Sequence, residues 1–295
     1  MKLFYYQHEG ILNFGDDLNP WLWERLLPGQ LDQDESITLV GIGTLLHDQL
    51  PQFTRGAKQR WIFSSGVGYF NGPPPSDETY RFYCVRGPLS ARALGLPEDR
   101  AVADGALLVR RLYERKSDRR YRFAFMPHLD EIAAIGWSRA CDELGIHFID
   151  PRWPTERVLD SLSETEILLA EAMHGAIVAD ALRTPWVPIV TSDRVLRFKW
   201  EDWCQSLGLE YSPVRLTAQV NPREKRDILT PVREARYWML RKTAVNELKK
   251  LTQNIRPMLS SDRMMEDRTQ QLEERLEELK KDIRAAKRTP YAMVG

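Results

Sequence analysis

The stretch ILLAEAMHGAIVADALRTPWVPIV, residues 167–190, decides the fold. Ile167 to Ala170 is a short apolar run, Gly175 to Ala181 an apolar stretch with helical composition, and Trp186 to Val190 a second apolar run after Thr184-Pro185. Runs of four or five apolar residues flanking a helix are the mark of parallel strands joined by a crossover helix, because both faces of such strands are covered. His174 stands where the first strand gives way to that helix.

Outward from there the alternation repeats. Leu3 to Gln7, Ile37 to Gly43, Trp61 to Gly68, Arg81 to Val85 and Val102 to Leu108 read as strands of a first unit. Tyr121 to Met126 and Ile146 to Ile149 join 167–170 and 186–190 in a second, with helices near Glu131 to Leu144 and Thr155 to Leu162. Between the two units, RRLYERKSDRR (110–120) is charged and poor in apolar residues, which suits an exposed connection. The expected organisation is α/β: two Rossmann-like, doubly wound domains over 1–118 and 119–218, GT-B-like, facing a cleft at the carboxyl ends of their strands. A helical extension follows over 219–295.

In that extension Thr230-Pro231 is a helix start, a capping hydroxyl followed by proline. Met265, Thr269, Leu272, Leu276, Leu279 and Ile283 recur at steps of four and three, as either a self-association seam or a helix docked on the body would require. Arg223, Lys225, Arg226, Arg233, Arg236, Arg241 and Lys242 interleave with Tyr237, Trp238, Met239 and Leu240. That mixture fits either a solvated helix with aromatics packed inward or a face resting on an anionic inner leaflet.

Composition narrows the function classes. The 295 residues carry 42 Lys plus Arg and 42 Asp plus Glu, so no global field draws the chain to nucleic acid. Three dispersed cysteines, Cys84, Cys141 and Cys204, provide neither a CxxC metal pattern nor a disulfide framework, and they are expected to be reduced thiols in a cytosol. No run reaches the length of a membrane span, and the first residues lack the pattern of a signal peptide.

Three segments carry chemistry. Asn13-Phe14-Gly15-Asp16 follows the first strand and precedes a helix, so it can offer backbone N–H groups, the Asn13 amide and the Asp16 carboxylate to a sugar or phosphate; an ordinary turn feeding a helix has the same composition. Arg86, at the end of a strand before Gly87-Pro88-Leu89-Ser90, has the fork geometry for a carboxylate or phosphate, and equally for a salt bridge. His174 at a helix start has its basicity lowered by the helix terminus and raised by a bound anion; it could also be a simple capping histidine. His8, His47, His128 and His147 lack such settings and are read as structural.

In this order and spacing, the segments resemble the polysaccharide pyruvyltransferase family. Its members show an early N-x-G-D loop, matched by Asn13, Gly15 and Asp16; an arginine with a serine downstream, matched by Arg86 and Ser90; and a late H-G before an apolar helix and a proline-bearing strand, matched by His174, Gly175 and Pro185 to Ile189. Gly41-Ile42-Gly43 and Ser64 to Gly68 look like the family's glycine-bearing strand ends, and Lys199 stands where members carry a basic residue. The likeness covers about residues 1 to 210 and is nearest the exopolysaccharide branch.

The resemblance implies phosphoenolpyruvate as donor, no metal or other cofactor, and a sugar acceptor on a polyprenyl-linked oligosaccharide at the inner membrane face. It implies His174 as general acid, Asp16 as base or sugar contact, and Arg86 and Lys199 as anion holders. Many members have an arginine two residues before the histidine, where this chain has Ala172; Lys199 or Arg197 is expected to fill that place. Two other readings share these features: a glycosyltransferase of two Rossmann-like domains using a nucleotide sugar, and a non-catalytic assembly protein with a decayed site. A nicotinamide enzyme is disfavoured because no GxGxxG follows the first strand.

Overall fold

The structure, a computed structural model, describes residues 1–7, 10–75, 77–129, 136–193, 195–217 and 230–288. The first unit contains β1 (Lys2–Phe4), α1 (Phe14–Leu26), β2 (Ile37–Val40), α2 (Leu50–Phe53), β3 (Gln59–Phe63), β4 (Tyr80–Cys84), α3 (Pro88–Ala93) and α4 (Val109–Leu112). The second contains β5 (Tyr121–Met126), α5 (Gly136–Leu144), β6 (His147–Phe148), α6 (Thr155–Ser163), β7 (Thr165–Ala170), α7 (Met173–Ala181), β8 (Trp186–Val190), α8 (Arg197–Ser206) and β9 (Val214–Arg215). Two long helices follow, α9 (Thr230–Gln253) and α10 (Asp262–Arg288).

Both sheets are parallel throughout. The second has the order β6-β5-β7-β8-β9, so its winding reverses between β5 and β7, where open α/β sheets hold ligands. The first has the sequential order β1-β2-β3-β4. That order corrects the expectation of two doubly wound sheets: the first winds in one direction and has no switch point among the described strands.

A second correction concerns residues 102–108, read as a strand. Ala101 makes an isolated parallel bridge with Val85 and Asp104 is extended, but Gly105–Leu108 forms a 3₁₀ turn that runs into α4. Its cause is local: the Asp104 side chain accepts the Ala106 N–H at 3.0 Å, which favours a turn over a ladder. Part of the helix expected over 131–144, along with His8 and the basic residues 223–226, lies outside the described residues.

One apolar cluster runs through both units, from Phe14, Leu18 and Trp23 of α1 through Leu107 and Leu108 to Ile177 of α7, and Trp200 and Trp203 of α8. α10 joins the same cluster. Met265, Thr269, Leu272 and Leu279 are fully buried and Leu276 and Ile283 nearly so, while Arg110 and Arg111 ion-pair with Glu266, and Arg111 with Glu273. The recurring stripe is therefore spent within the chain, and part of the charged 110–120 connection is held beneath α10.

A buried ion pair bolts the units together. Arg86, just past β4, points Nε at Asp202 Oδ2 of α8 at 3.1 Å, and its remaining nitrogens donate to Thr44 Oγ1 (2.9 Å) and the Val67 carbonyl (3.2 Å). Asp202 Oδ1 accepts the N–H groups of Leu89 and Ser90, at 2.9 and 3.0 Å, and so caps α3 from the opposite unit. Ser90 Oγ donates to Asp202 Oδ2. Both charged side chains are fully buried. Removing one partner leaves an uncompensated charge in the core, so Asp202→Ala should lower unfolding free energy by roughly 3–5 kcal/mol in chemical denaturation, with Asp202→Asn costing less.

Candidate active site

Asn13 supports its loop in two ways. Its N–H donates to Asp17 Oδ2 at 2.7 Å, and its side-chain Nδ2 donates to Asp16 Oδ2 at 2.5 Å. The Asp16 carboxylate is thereby held at the start of α1, and the Phe14 N–H donates to the Pro151 carbonyl of the second unit at 2.7 Å. Facing this loop, Ala172 is the extended residue before α7, with no side-chain cap, and His174 lies in the first helical turn. The first N–H groups of that turn have no acceptor within the helix.

These loops enclose a cleft of about 280 Å³. Tyr6, Asn13, Phe14, Gly15, Asp16, Gly43, Thr44 and Tyr69 form one wall, and Met126, His128, Leu129, Pro151, Ala172, Met173, His174 and Lys199 the other. It sits at the carboxyl ends of β5 and β7, at the switch point of the second sheet. Glu171 secures that end, because its carboxylate accepts the N–H of Thr191 at 2.7 Å and that of His128 at 3.1 Å.

His174 is packed edge-on against the glycine loop. A Cβ on Gly15 would come within 2.6 Å of His174 Nδ1, so only glycine lets the ring lie here. The opposite nitrogen, Nε2, points toward Asp104 Oδ2 at 3.8 Å. Burial, together with Lys199 and Arg86, lowers the His174 pKa to about 3, so the ring is neutral near neutral pH.

Lys199 is the cation of the cleft. It is buried, its Nζ donates to Tyr69 Oη at 2.9 Å, and among the described residues no carboxylate lies within ion-pair distance of it. Its position follows from α8, whose Trp200 and Trp203 pack with Trp186 and Tyr211 on one side and leave Lys199 and Asp202 to face the first unit. Tyr69 reaches it from a turn in which Tyr69 and Phe70 take φ of +58° and +51°.

Of the residues singled out in sequence, Asn13, Gly15, Asp16, His174 and Lys199 meet in this cleft. Gly175 lies behind it, where a Cβ would press on Met126 Sδ at 2.6 Å. Arg86 and Ser90 are not on the cleft surface. They are spent on Asp202, and Arg86 reaches the wall only through Thr44; Gly66 lines its slot, since a Cβ there would fall 2.1 Å from Arg86 Cζ. Arg197 turns outward, exposed and paired with Glu201, so it does not take the place of an arginine at Ala172.

Of the histidines read as structural, His47 is buried against Tyr6 and His147 stacks on Tyr121, whereas His128 stands on the cleft wall. Sequence reasoning missed Tyr69, Thr44 and Asp104. The last lay inside an apolar run, VADGALL, and a lone acid in such a run was the available signal. Among the described residues no group of three or more His, Cys, Asp or Glu could hold a metal, and no helix is long and apolar enough to cross a membrane. Cys84, Cys141 and Cys204 are buried free thiols whose pKa values burial raises.

Comparison with known proteins agrees with the motif reading. Residues 13–193 match the family Polysaccharide pyruvyl transferase. The chain is also similar to the succinoglycan biosynthesis protein ExoV of Rhizobium meliloti (strain 1021), with 37% identity over 241 residues, covering 81% of this chain and 73% of that protein. No solved structure matches it. A family match that begins at Asn13, runs past His174 and takes in residues of both walls of the cleft places this chain in the polysaccharide pyruvyl transferase family.

Proposed function

We propose that this protein transfers the enolpyruvyl unit of phosphoenolpyruvate to a sugar of an exopolysaccharide repeat unit, closing a cyclic pyruvate ketal and releasing phosphate. The observation that carries the reading is a buried lysine without a carboxylate partner, placed beside a neutral imidazole in a cleft between two α/β units. A buried cation in that state is stabilised by an anionic ligand, and the donor brings a carboxylate and a phosphate.

The chemistry needs one acid and fixed positive charge. A sugar hydroxyl adds to C2 while C3 takes a proton; a second hydroxyl of the same acceptor then attacks C2 and displaces phosphate. The two hydroxyl protons balance the new C3–H bond and the proton carried off by phosphate. His174 delivers the proton to C3, Lys199 holds the donor's negative charge, and Asp16 receives a hydroxyl proton or contacts the sugar. Asn13 holds Asp16 in place, and Arg86, paired with Asp202, fixes Thr44 on the cleft wall. Burial and the nearby cations keep the imidazole neutral, and an arriving anion raises its proton affinity, so the acid forms where it is used.

Two α/β units facing a cleft suit this division, with the donor at the switch point of the second unit and the acceptor against the 13–16 loop of the first. A lipid-linked acceptor would place the protein at a membrane surface, and α9 is suited to that. Arg236, Lys242, Lys249 and Lys250 are exposed on it together with Val232, Trp238 and Met239, whose exposures are 65%, 58% and 63%. The helix holds six basic and two acidic residues, and one of the acids, Glu247, is hydrogen-bonded to Thr217.

His174→Gln should remain folded and reduce phosphate release from phosphoenolpyruvate and acceptor by at least about 100-fold, the usual scale of a general acid. Gly15→Ala, which displaces the ring, should lose most activity with little change in melting temperature; near-normal turnover in His174→Gln would refute the assignment. For the surface reading, sedimentation with phosphatidylglycerol vesicles should exceed that with phosphatidylcholine vesicles and should fall when Lys242, Lys249 and Lys250 are changed together to Glu. Equal sedimentation of both proteins with both vesicles would remove it.

A further inference from the structure

Asp104 is a buried carboxylate that the scheme above leaves without a task. It is the extended residue immediately before the 3₁₀ turn and is fully buried. Its Oδ1 accepts the Ala106 N–H, while its Oδ2 has no hydrogen-bond partner. His174 Nε2, buried and equally without a partner, faces it across the boundary between the units at 3.8 Å.

Two buried polar atoms left unpaired are costly, and here each is the complement of the other. A separation of 3.8 Å exceeds a hydrogen bond, and binding of the donor is where this contact should tighten. The base of this arrangement is fixed: the Gly105 N–H donates to Ser64 Oγ at 2.9 Å, so Asp104 is anchored to the first unit while His174 belongs to the second.

Building on the reading of His174 as the acid, we propose that Asp104 is its positioning residue: it accepts the Nε2 proton, leaves the exchanging proton on Nδ1 at the cleft side, and stabilises the imidazolium when the donor is bound. The logic is that of a carboxylate behind a catalytic imidazole, which fixes tautomer and orientation without itself being protonated in the reaction.

The charged surroundings are compatible with it. Burial pushes Asp104 up to about 6, opposed by the Ala106 N–H and Arg86 and aided by Asp202, so near neutral pH it is a carboxylate facing a neutral ring. The charged side chains acting on the pair are Arg86, just past β4, and Lys199 and Asp202 of α8, while Asp16 of α1 lines the same cleft. The sign then follows. Catalysis needs the protonated ring in the loaded cleft, so kcat is lost as pH rises through its pKa there, and removing the Asp104 charge lowers that pKa.

The test combines ring ¹⁵N NMR of His174 with kinetics. In the wild type without substrate near neutral pH, the ring should be the Nε2–H tautomer. Asp104→Asn keeps an oxygen for Ala106 but can donate its amide to Nε2, so the ring should change to Nδ1–H. In that variant kcat should drop about 100-fold or more, the KM for phosphoenolpyruvate should change less than about threefold, and the alkaline limb of the kcat profile should move to lower pH.

An unchanged tautomer and pH profile in a folded Asp104→Asn protein would overturn the proposal. So would an Nδ1–H ring in the wild type, a result that stands even if the variant fails to fold. Failure of the underlying reading looks different: His174→Gln would then keep its turnover whatever the ring tautomer.

Discussion

A guanidinium and a carboxylate, both cut off from water, hold the two α/β units in one arrangement. Arg86 and Asp202 satisfy each other across the boundary and use their remaining hydrogen-bonding capacity on Thr44, Val67, Leu89 and Ser90. An unpaired buried charge is so costly that this geometry tolerates little sliding of one unit over the other. Both walls of the cleft are tied to it: Thr44 stands on one, and Asp202 shares α8 with Lys199 on the other. A structural ion pair thus sets the distance between the 13–16 loop and the lysine.

Within that frame the imidazole is controlled by what surrounds it rather than by its own chemistry. Desolvation and two cations hold it neutral, Gly15 gives its ring space, and Asp104 lies at its far nitrogen. A neutral ring next to a buried ammonium favours an anion that can supply the missing negative charge, and the proposed donor, with its carboxylate and phosphate, would do so. In the proposed reaction, binding of such a donor and formation of the acid are coupled through electrostatics.

Much of this was legible in the sequence where the signal is local. β5 and β8 coincide with their expected bounds, Tyr121 to Met126 and Trp186 to Val190, because each is an apolar run closed by turn residues. The 13–16 loop, His174 and Lys199 were found through their motifs and meet in space. What failed depends on distant partners. Arg86 was assigned to the cleft, but its partner lies 116 residues away and no local pattern announces a buried pair. Asp104 was hidden in a run read as a strand, and α8 went unrecognised because its buried charges, Lys199 and Asp202, disguise an amphipathic helix. The sequential order of the first sheet is likewise a property of pairing, which periodicity alone does not specify.

The most direct test of the whole account is a crystal structure with phosphoenolpyruvate or an unreactive analogue bound. It should show the ligand's anionic groups against Lys199 and the first turn of α7, with the methylene carbon facing Nδ1 of His174. A ligand lodged away from that ring, or a cleft that takes a nucleotide sugar and leaves the enol ester unbound, would contradict it.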